Sequence, residues 1–392
     1  MQYITMWAYP WDLIAEGPDT ALAYLKNEVG LTAISVATAY HSLQAVLPHN
    51  PRWPVFIAPA AVYFQPLREL YEPTPIAPPV SPLLGQENWL AQIAEACQRQ
   101  GLGLVAWTVC LHSSTLATRY PEYAVRDLFG TPSPAYLCPS WPAVRDYLVA
   151  LCTDLDNYGL QALELEGAHY FDFEHHVHAK IGLRLGPIDR LLLSLCFCEA
   201  CQDRARFNGI DVEALGDRLR QRLRQVFAAG ASPEPPGDPD AQIEAFLQQV
   251  PDLIPFLGTR TDAVTALIEA ICAAIRSPLH VLLMGPSWLS GADPERLAPA
   301  VDRFEVCAYT ADPAAVRRAV QQALAMLPGP DRLVVGLEAA HPSAPSEAAL
   351  LAVAAAVRDL QVAGVSFYNY GLIPPAHLPW VQRAIQRLRA SA

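Results

Sequence analysis

Two short segments of this 392-residue chain end in a carboxylate where a strand would stop. In LQALELEGAHY, Leu163 and Leu165 alternate with Glu164 and Glu166; in DRLVVGLEAAHP, Leu333, Val335 and Leu337 alternate with Val334, Gly336 and Glu338. A strand sends successive side chains to opposite faces, so each pattern puts its leucines on one face and a terminal glutamate on the other. Two carboxyl groups facing one another at about 5 to 5.5 Å suit a retaining double displacement at a glycosidic centre. Glu338 would attack the anomeric carbon. Glu166, kept protonated by partial burial and its neighbour's charge, would protonate the leaving oxygen and later act as base on water. The plainer use of either residue is an ion pair with an arginine. Glu164, one step lower on the strand, reads as a buried support hydrogen-bonded to an Arg or His.

Aromatic residues recur near the ends of the other expected strands: Trp7, Tyr9 and Trp11, then Trp107, Trp288, Tyr309, Tyr368 and Tyr370. Sugar rings lay their C–H faces on such surfaces, while His112, His341 and Asn369 stand where they would hydrogen-bond hydroxyls. His169 and Tyr170 follow Glu166 directly and read as further substrate contacts; core packing is the competing use of the aromatics. The run HYFDFEHHVHAK gathers His175, His176 and His178 with Asp172 and Glu174. Only His175 and His178 share a helical face, so the run reads as a loop lining a cleft, and a metal-dependent hydrolase built on it is the weaker alternative.

Residues at strand ends need a scaffold that brings strand ends together. Short apolar runs, each followed by a helical pattern, lie at Tyr3 to Trp7, Thr32 to Ala37, Gly103 to Val109, Ala162 to Glu166, His280 to Met284, Phe304 to Tyr309, Leu333 to Glu338 and Gly364 to Asn369. Helical repeats include Asn88 to Gln100, Pro142 to Tyr158, Ala314 to Met326 and Ser346 to Leu360. Eight strand-helix units close most naturally into a (β/α)8 TIM barrel, whose catalytic residues come from the C-terminal ends of its strands. A doubly wound open sheet would want a glycine-rich turn after the first strand, and AYPWDLIAEG does not provide one. The expectation is a single barrel domain over residues 1–392. It carries a proline-rich insertion at 48–84 after strand two, where VFIAPAAVYF would form a small hairpin, and a helical, cysteine-containing insertion at 171–278 between strands four and five.

Composition narrows the partners. The formal net charge of −12, from 27 basic and 39 acidic residues, repels phosphate backbones and excludes general nucleic-acid binding, leaving a neutral small molecule as the better substrate. No run approaches the roughly 20 apolar residues of a membrane span. MQYITMWAYPWDL reads as a strand rather than an export signal, and nine cysteines without such a signal read as thiols or metal ligands, so a cytoplasmic location is expected. Homo-oligomerisation is left open.

Three of those cysteines, Cys196, Cys198 and Cys201 in LSLCFCEACQD, lie within reach of one ion. Structural zinc wants four soft ligands, and Cys138, in the proline-fixed turn of AYLCPSWPAVRDYL, is the natural fourth. Reduced buried thiols are the alternative. The order of a CPSWP turn, a helix, a strand ending in Glu166 and then Cys-x-Cys-x-x-Cys resembles glycoside hydrolase family 42, the zinc-containing β-galactosidases. The resemblance covers residues 107–206 well and the rest of the barrel by strand order only. It implies Glu166 as acid/base, Glu338 as nucleophile, and Cys138, Cys196, Cys198 and Cys201 as ligands of a structural Zn2+. The chain departs from the family at Leu165, where the family carries an Asn that hydrogen-bonds the sugar 2-hydroxyl, and in a longer spacing from Glu166 to the cysteines. The expected function is therefore a diverged glycosidase acting on another small or oligomeric glycoside. A carbohydrate-binding pseudoenzyme that has lost turnover is the alternative.

Overall fold

The computed structural model describes residues 2–175 and 180–390. Eight parallel strands form its centre: β1 (Tyr3–Ala8), β2 (Ala33–Tyr40), β3 (Gly103–Val109), β4 (Ala162–Glu166), β5 (Leu279–Leu282), β6 (Arg303–Cys307), β7 (Leu333–Glu338) and β8 (Gly364–Tyr368). Each pairs with the next, and β8 returns to β1 through Tyr3↔Gly364, so the sheet closes into a (β/α)8 barrel. The outward residues are those the alternation assigned outward: Leu163 and Leu165 of β4, with Leu333, Val335 and Leu337 of β7, join the main core between strands and helices. The helices cap themselves by local means. Trp89–Gln100 starts where the Asn88 side chain accepts from the Ala91 N–H and stops at Gly101 in the left-handed region. It buries Leu90, Ile93, Ala96 and Cys97 along one face.

The lumen departs from the usual filling of branched apolar side chains. From β2, β4, β6 and β8, Ser35, Glu164, Glu305 and Ser366 point inward, each no more than 1% exposed. Glu164 accepts from Trp7 Nε1 at 2.5 Å and from Ser35 Oγ at 3.2 Å. Its support is thus to an indole and a hydroxyl, not to the Arg or His that its position suggested. Burial raises both carboxyls above the ordinary glutamate range, Glu305 the further because the charge on Glu164 adds to it. Below this layer lie Tyr3, Ala33, Val105, Ala162 and Val334; above it lie Trp7 and Trp107.

β2 runs three residues past its expected end. A register shift between Ala37 and Ala39 and an antiparallel pairing of Ala61–Val62 against Ala39 and Tyr40 keep its last residues hydrogen-bonded. The hairpin of the first insertion also differs from the expected one. Val55–Ala58 pairs back onto Leu43–Val46, not within VFIAPAAVYF, because Pro59 cannot donate and the chain beyond it is recruited to β2. After β4, helices Pro187–Leu193, Val212–Ala229 and Pro239–Gln249 close over a second core that includes Leu191, Leu219, Leu223 and Phe246. The last helix before β5, Leu253–Ala274, spans both cores: Phe256 belongs to the second, and Val264, Leu267, Ile268 and Ile271 to the barrel.

Candidate active site

At the C-terminal end of the strands a cavity of about 450 Å³ is lined by Trp7, Tyr40, Trp107, Glu166, Tyr309 and Tyr368, together with His41, His175, Cys307 and residues 282–285 of the β5 end. Trp7 forms its floor. The ring crosses toward β7 only because residue 336 is glycine: a Cβ there would stand 2.8 Å from Trp7 Cη2. Trp107 and Tyr368 meet the Trp7 ring at centroid distances of 6.1 and 5.8 Å. Tyr309, 37% exposed, leans over Tyr368 at 5.4 Å and presents an open ring face to the cavity.

Glu166 ends β4 beside Val109 of β3, and its Oε2 accepts from Trp107 Nε1 at 2.7 Å. Burial raises its carboxyl to about 7, against the opposing pull of the Trp107 N–H, which favours the charged form. The group therefore changes protonation near neutral pH, as a general acid that later serves as base must. Glu338 ends β7 at the same rim, opposite Tyr368 in register, on the inward face shared with Gly336. Its Oε2 accepts from Ser343 Oγ, and it is not among the residues that line the cavity.

The other expected contacts divide. Trp7, Trp107, Tyr309 and Tyr368 meet at the cavity with Glu166. Tyr9 sits behind them, 3% exposed, stacked on Trp11 and bonded through its hydroxyl to Tyr368 and Tyr40. His112 stacks on His41 at 4.7 Å, just beyond the lining. His169 is buried, its Nδ1 2.7 Å from the Tyr170 carbonyl, and burial lowers it to about 4. Asn369 is wholly buried and uses its side-chain oxygen to accept from the Gly371 N–H. His341 is exposed on the loop after β7. Trp288, on the short turn Ser287–Ser290 after β5, leaves the cavity for the helical insertion, packing on the second core and donating to Asp240 at 2.8 Å. Tyr170 joins the cysteines instead of the cavity. His176 and His178 lie outside the described residues. Sequence reasoning missed Tyr40, His41 and Cys307; Tyr40 ends the extension of β2, His41 follows it directly, and Cys307 continues the inward alternation of Glu305.

The sulfurs of Cys138, Cys196, Cys198 and Cys201 all lie within 4.8 Å of one another and are buried. Cys138 Sγ stands 3.5, 3.7 and 3.6 Å from those of Cys201, Cys196 and Cys198. A disulfide needs about 2.05 Å, whereas tetrahedral thiolates around a metal at about 2.3 Å stand about 3.8 Å apart, so the spacing fits a four-coordinate metal shell. The Arg126 backbone N–H donates to Cys196 Sγ at 3.4 Å, a contact that favours thiolate.

No known family and no curated protein matches the sequence. The fold itself has likenesses among solved structures. The chain is similar to a β-galactosidase from the psychrophilic Marinomonas ef1, with a TM-score of 0.58 and 12% identity over 98% of this chain and 59% of that one. It is similar to the catalytic domain of a β-amylase from Paenibacillus polymyxa, with a TM-score of 0.54 and 13% identity over 98% and 97%. An α-L-fucosidase isoenzyme 2 from Paenibacillus thiaminolyticus gives 0.56 and 14% identity over 100% of this chain and 50% of that one. The chain thus spans little more than half the length of the galactosidase and half that of the fucosidase, and at these identities the likeness is one of fold.

Proposed function

We propose that the protein is a glycoside hydrolase working by retaining double displacement, with Glu166 as acid/base and Glu338 as nucleophile. The observation that carries the reading is Glu166: a carboxyl raised to about 7, held by an indole N–H, at the rim of a cavity walled by tryptophans and tyrosines. A sugar ring would lie over Trp7 against Tyr309 and Tyr368, with the leaving oxygen toward Glu166. Glu166 gives its proton as the glycosidic C–O bond breaks, Glu338 turns from Ser343 and bonds to the anomeric carbon, and water assisted by Glu166 then releases the sugar. The solved neighbours include three carbohydrate-active enzymes by their descriptions, which agrees with a carbohydrate substrate. We further propose that the four cysteines hold a structural zinc: their spacing supports it, and a closed four-thiolate shell leaves no position for a reacting water.

A panel of nitrophenyl glycosides tests the activity. Turnover of one member with retention of configuration, abolished by Glu166→Ala and Glu338→Ala, is the expected result. Sugar binding without turnover would refute the enzyme and leave a carbohydrate-binding barrel. Elemental analysis finding no stoichiometric metal would refute the zinc.

A further inference from the structure

Arg260, on the helix Leu253–Ala274, is 1% exposed. Its Nη2 donates to the Leu289 carbonyl at 2.7 Å, while Nε and Nη1 have no hydrogen-bond partner among the described residues. A guanidinium in this position ordinarily faces a carboxylate, because an unpaired buried charge is costly. Among the described residues no carboxylate forms an ion pair with it, and the groups whose field reaches it are Tyr170 and the thiols of Cys201, Cys196 and Cys138. The guanidinium lies 4.4 Å from the centroid of the Tyr170 ring. At the edge of that ring, the Tyr170 hydroxyl stands 2.9 Å from Ser140 Oγ, 3.5 Å from Cys201 Sγ and 3.8 Å from Cys138 Sγ. Four cysteinates around a divalent ion carry a net charge of −2, which a dry interior must offset.

We propose that Arg260 is the counter-charge of a dianionic metal–tetracysteinate centre, with Tyr170 as the spacer that joins the two. The proposal rests on the four-cysteine metal reading. It explains why a long cationic side chain is buried with donors to spare: its partner is the centre as a whole rather than one oxygen. It also ties the metal to the candidate active site. Tyr170 lies four residues beyond Glu166 and donates its backbone N–H to Ser290 after β5. A loaded centre that holds the Tyr170 ring also holds the segment on which Glu166 ends.

The test compares wild type with Arg260→Met and Arg260→Lys, each titrated with zinc against a chromophoric chelator and melted with and without zinc. Loss of a second-shell partner costs metal sites about 10- to 100-fold in affinity, so Arg260→Met should bind zinc weaker by that factor and Arg260→Lys should stay closer to wild type. The melting temperatures should cross. Without metal, Arg260→Met should match or exceed wild type, because an unpaired buried charge has gone; with metal it should fall below. A wild type that loads zinc while Arg260→Met binds it equally well overturns the counter-charge and leaves the metal site standing. Arg260→Lys losing affinity as far as Arg260→Met, or Arg260→Met melting lower by the same amount in both forms, overturns it too. A wild type that binds no zinc removes the four-cysteine reading and this proposal together.

Discussion

Replacing Trp107 with Phe keeps an aromatic wall beside Glu166 and deletes one hydrogen bond. The indole Nε1 donates to Glu166 Oε2 at 2.7 Å, and only the ionised carboxylate gains fully from it. A hydrogen bond to a charged group is worth about 1.5–3 kcal/mol, and one pKa unit corresponds to about 1.4 kcal/mol, so the carboxyl should rise by about one to two units. It starts from about 7, with burial the dominant cause and the Trp107 bond opposing it. If Glu166 must be protonated to release the leaving group, the alkaline limb of kcat/KM in wild type reports its ionisation in the free enzyme. That limb should move in Trp107→Phe to about pH 8 or above. The assay is kcat/KM for a nitrophenyl glycoside between pH 5 and 10, with the matching glycosyl fluoride as a control whose departure needs little acid help. A limb that stays in place or moves toward acid, while the variant still turns over, would refute the assignment of Glu166 as the acid.

Glu338→Gly should abolish turnover, and added azide should restore it with a glycosyl azide of inverted configuration; rescue at Glu166→Gly with a product of retained configuration completes the assignment, and no rescue at residue 338 would sink it. Stability should fall as pH rises. The folded Glu166 titrates at about 7 against an ordinary 4.5, so its contribution is complete below the lower value and lost through the upper one. That difference amounts to about 3 kcal/mol, and Glu164 and Glu305 act in the same direction. Urea unfolding at pH 5 and 8.5 should show a smaller pH effect in Glu166→Gln than in wild type; equal effects would falsify the burial argument. Stripping metal from the cysteines should lower Tm and expose the helices after β4 to trypsin first, with four thiols becoming reactive; an unchanged Tm would argue against a bound ion.

The barrel and its two rim glutamates were legible because strand alternation is a local signal: one period-of-two pattern in β4 and another in β7 fix which way each side chain faces. The same signal was present in FEVC, where Phe304 and Val306 flank Glu305, yet a lone glutamate between apolar neighbours does not announce that it meets Glu164 across the lumen. The cavity wall was half legible. Trp7, Trp107, Tyr309 and Tyr368 sit on strands or just past them, where direction follows from register. Tyr170 and Trp288 sit on loops, and their rings go where tertiary partners draw them, one to the thiols and one to Asp240. Tyr40 and His41 were missed because the bulge at the end of β2 and its pairing with Ala61–Val62 depend on an insertion that folds back onto the strand. That the four cysteines come together was legible from their order and spacing, whereas Arg260, alone on a helix 22 residues long, carries no pattern of its own.

The layer of Ser35, Glu164, Glu305 and Ser366 also constrains how this lineage can drift. With two buried acids acting on one another and an indole donating to one of them, positions 7, 164 and 305 form a unit in which no member is free to mutate by itself. A change at 305 to an apolar residue leaves the 164 carboxyl alone in the lumen without the acid that acts on it; a change at 164 leaves Trp7 without an acceptor and unseats the floor on which a ligand would rest. Descendants should therefore keep all three or have exchanged them together, making joint substitution at these sites a historical record of the barrel's interior that any collection of homologous chains will display.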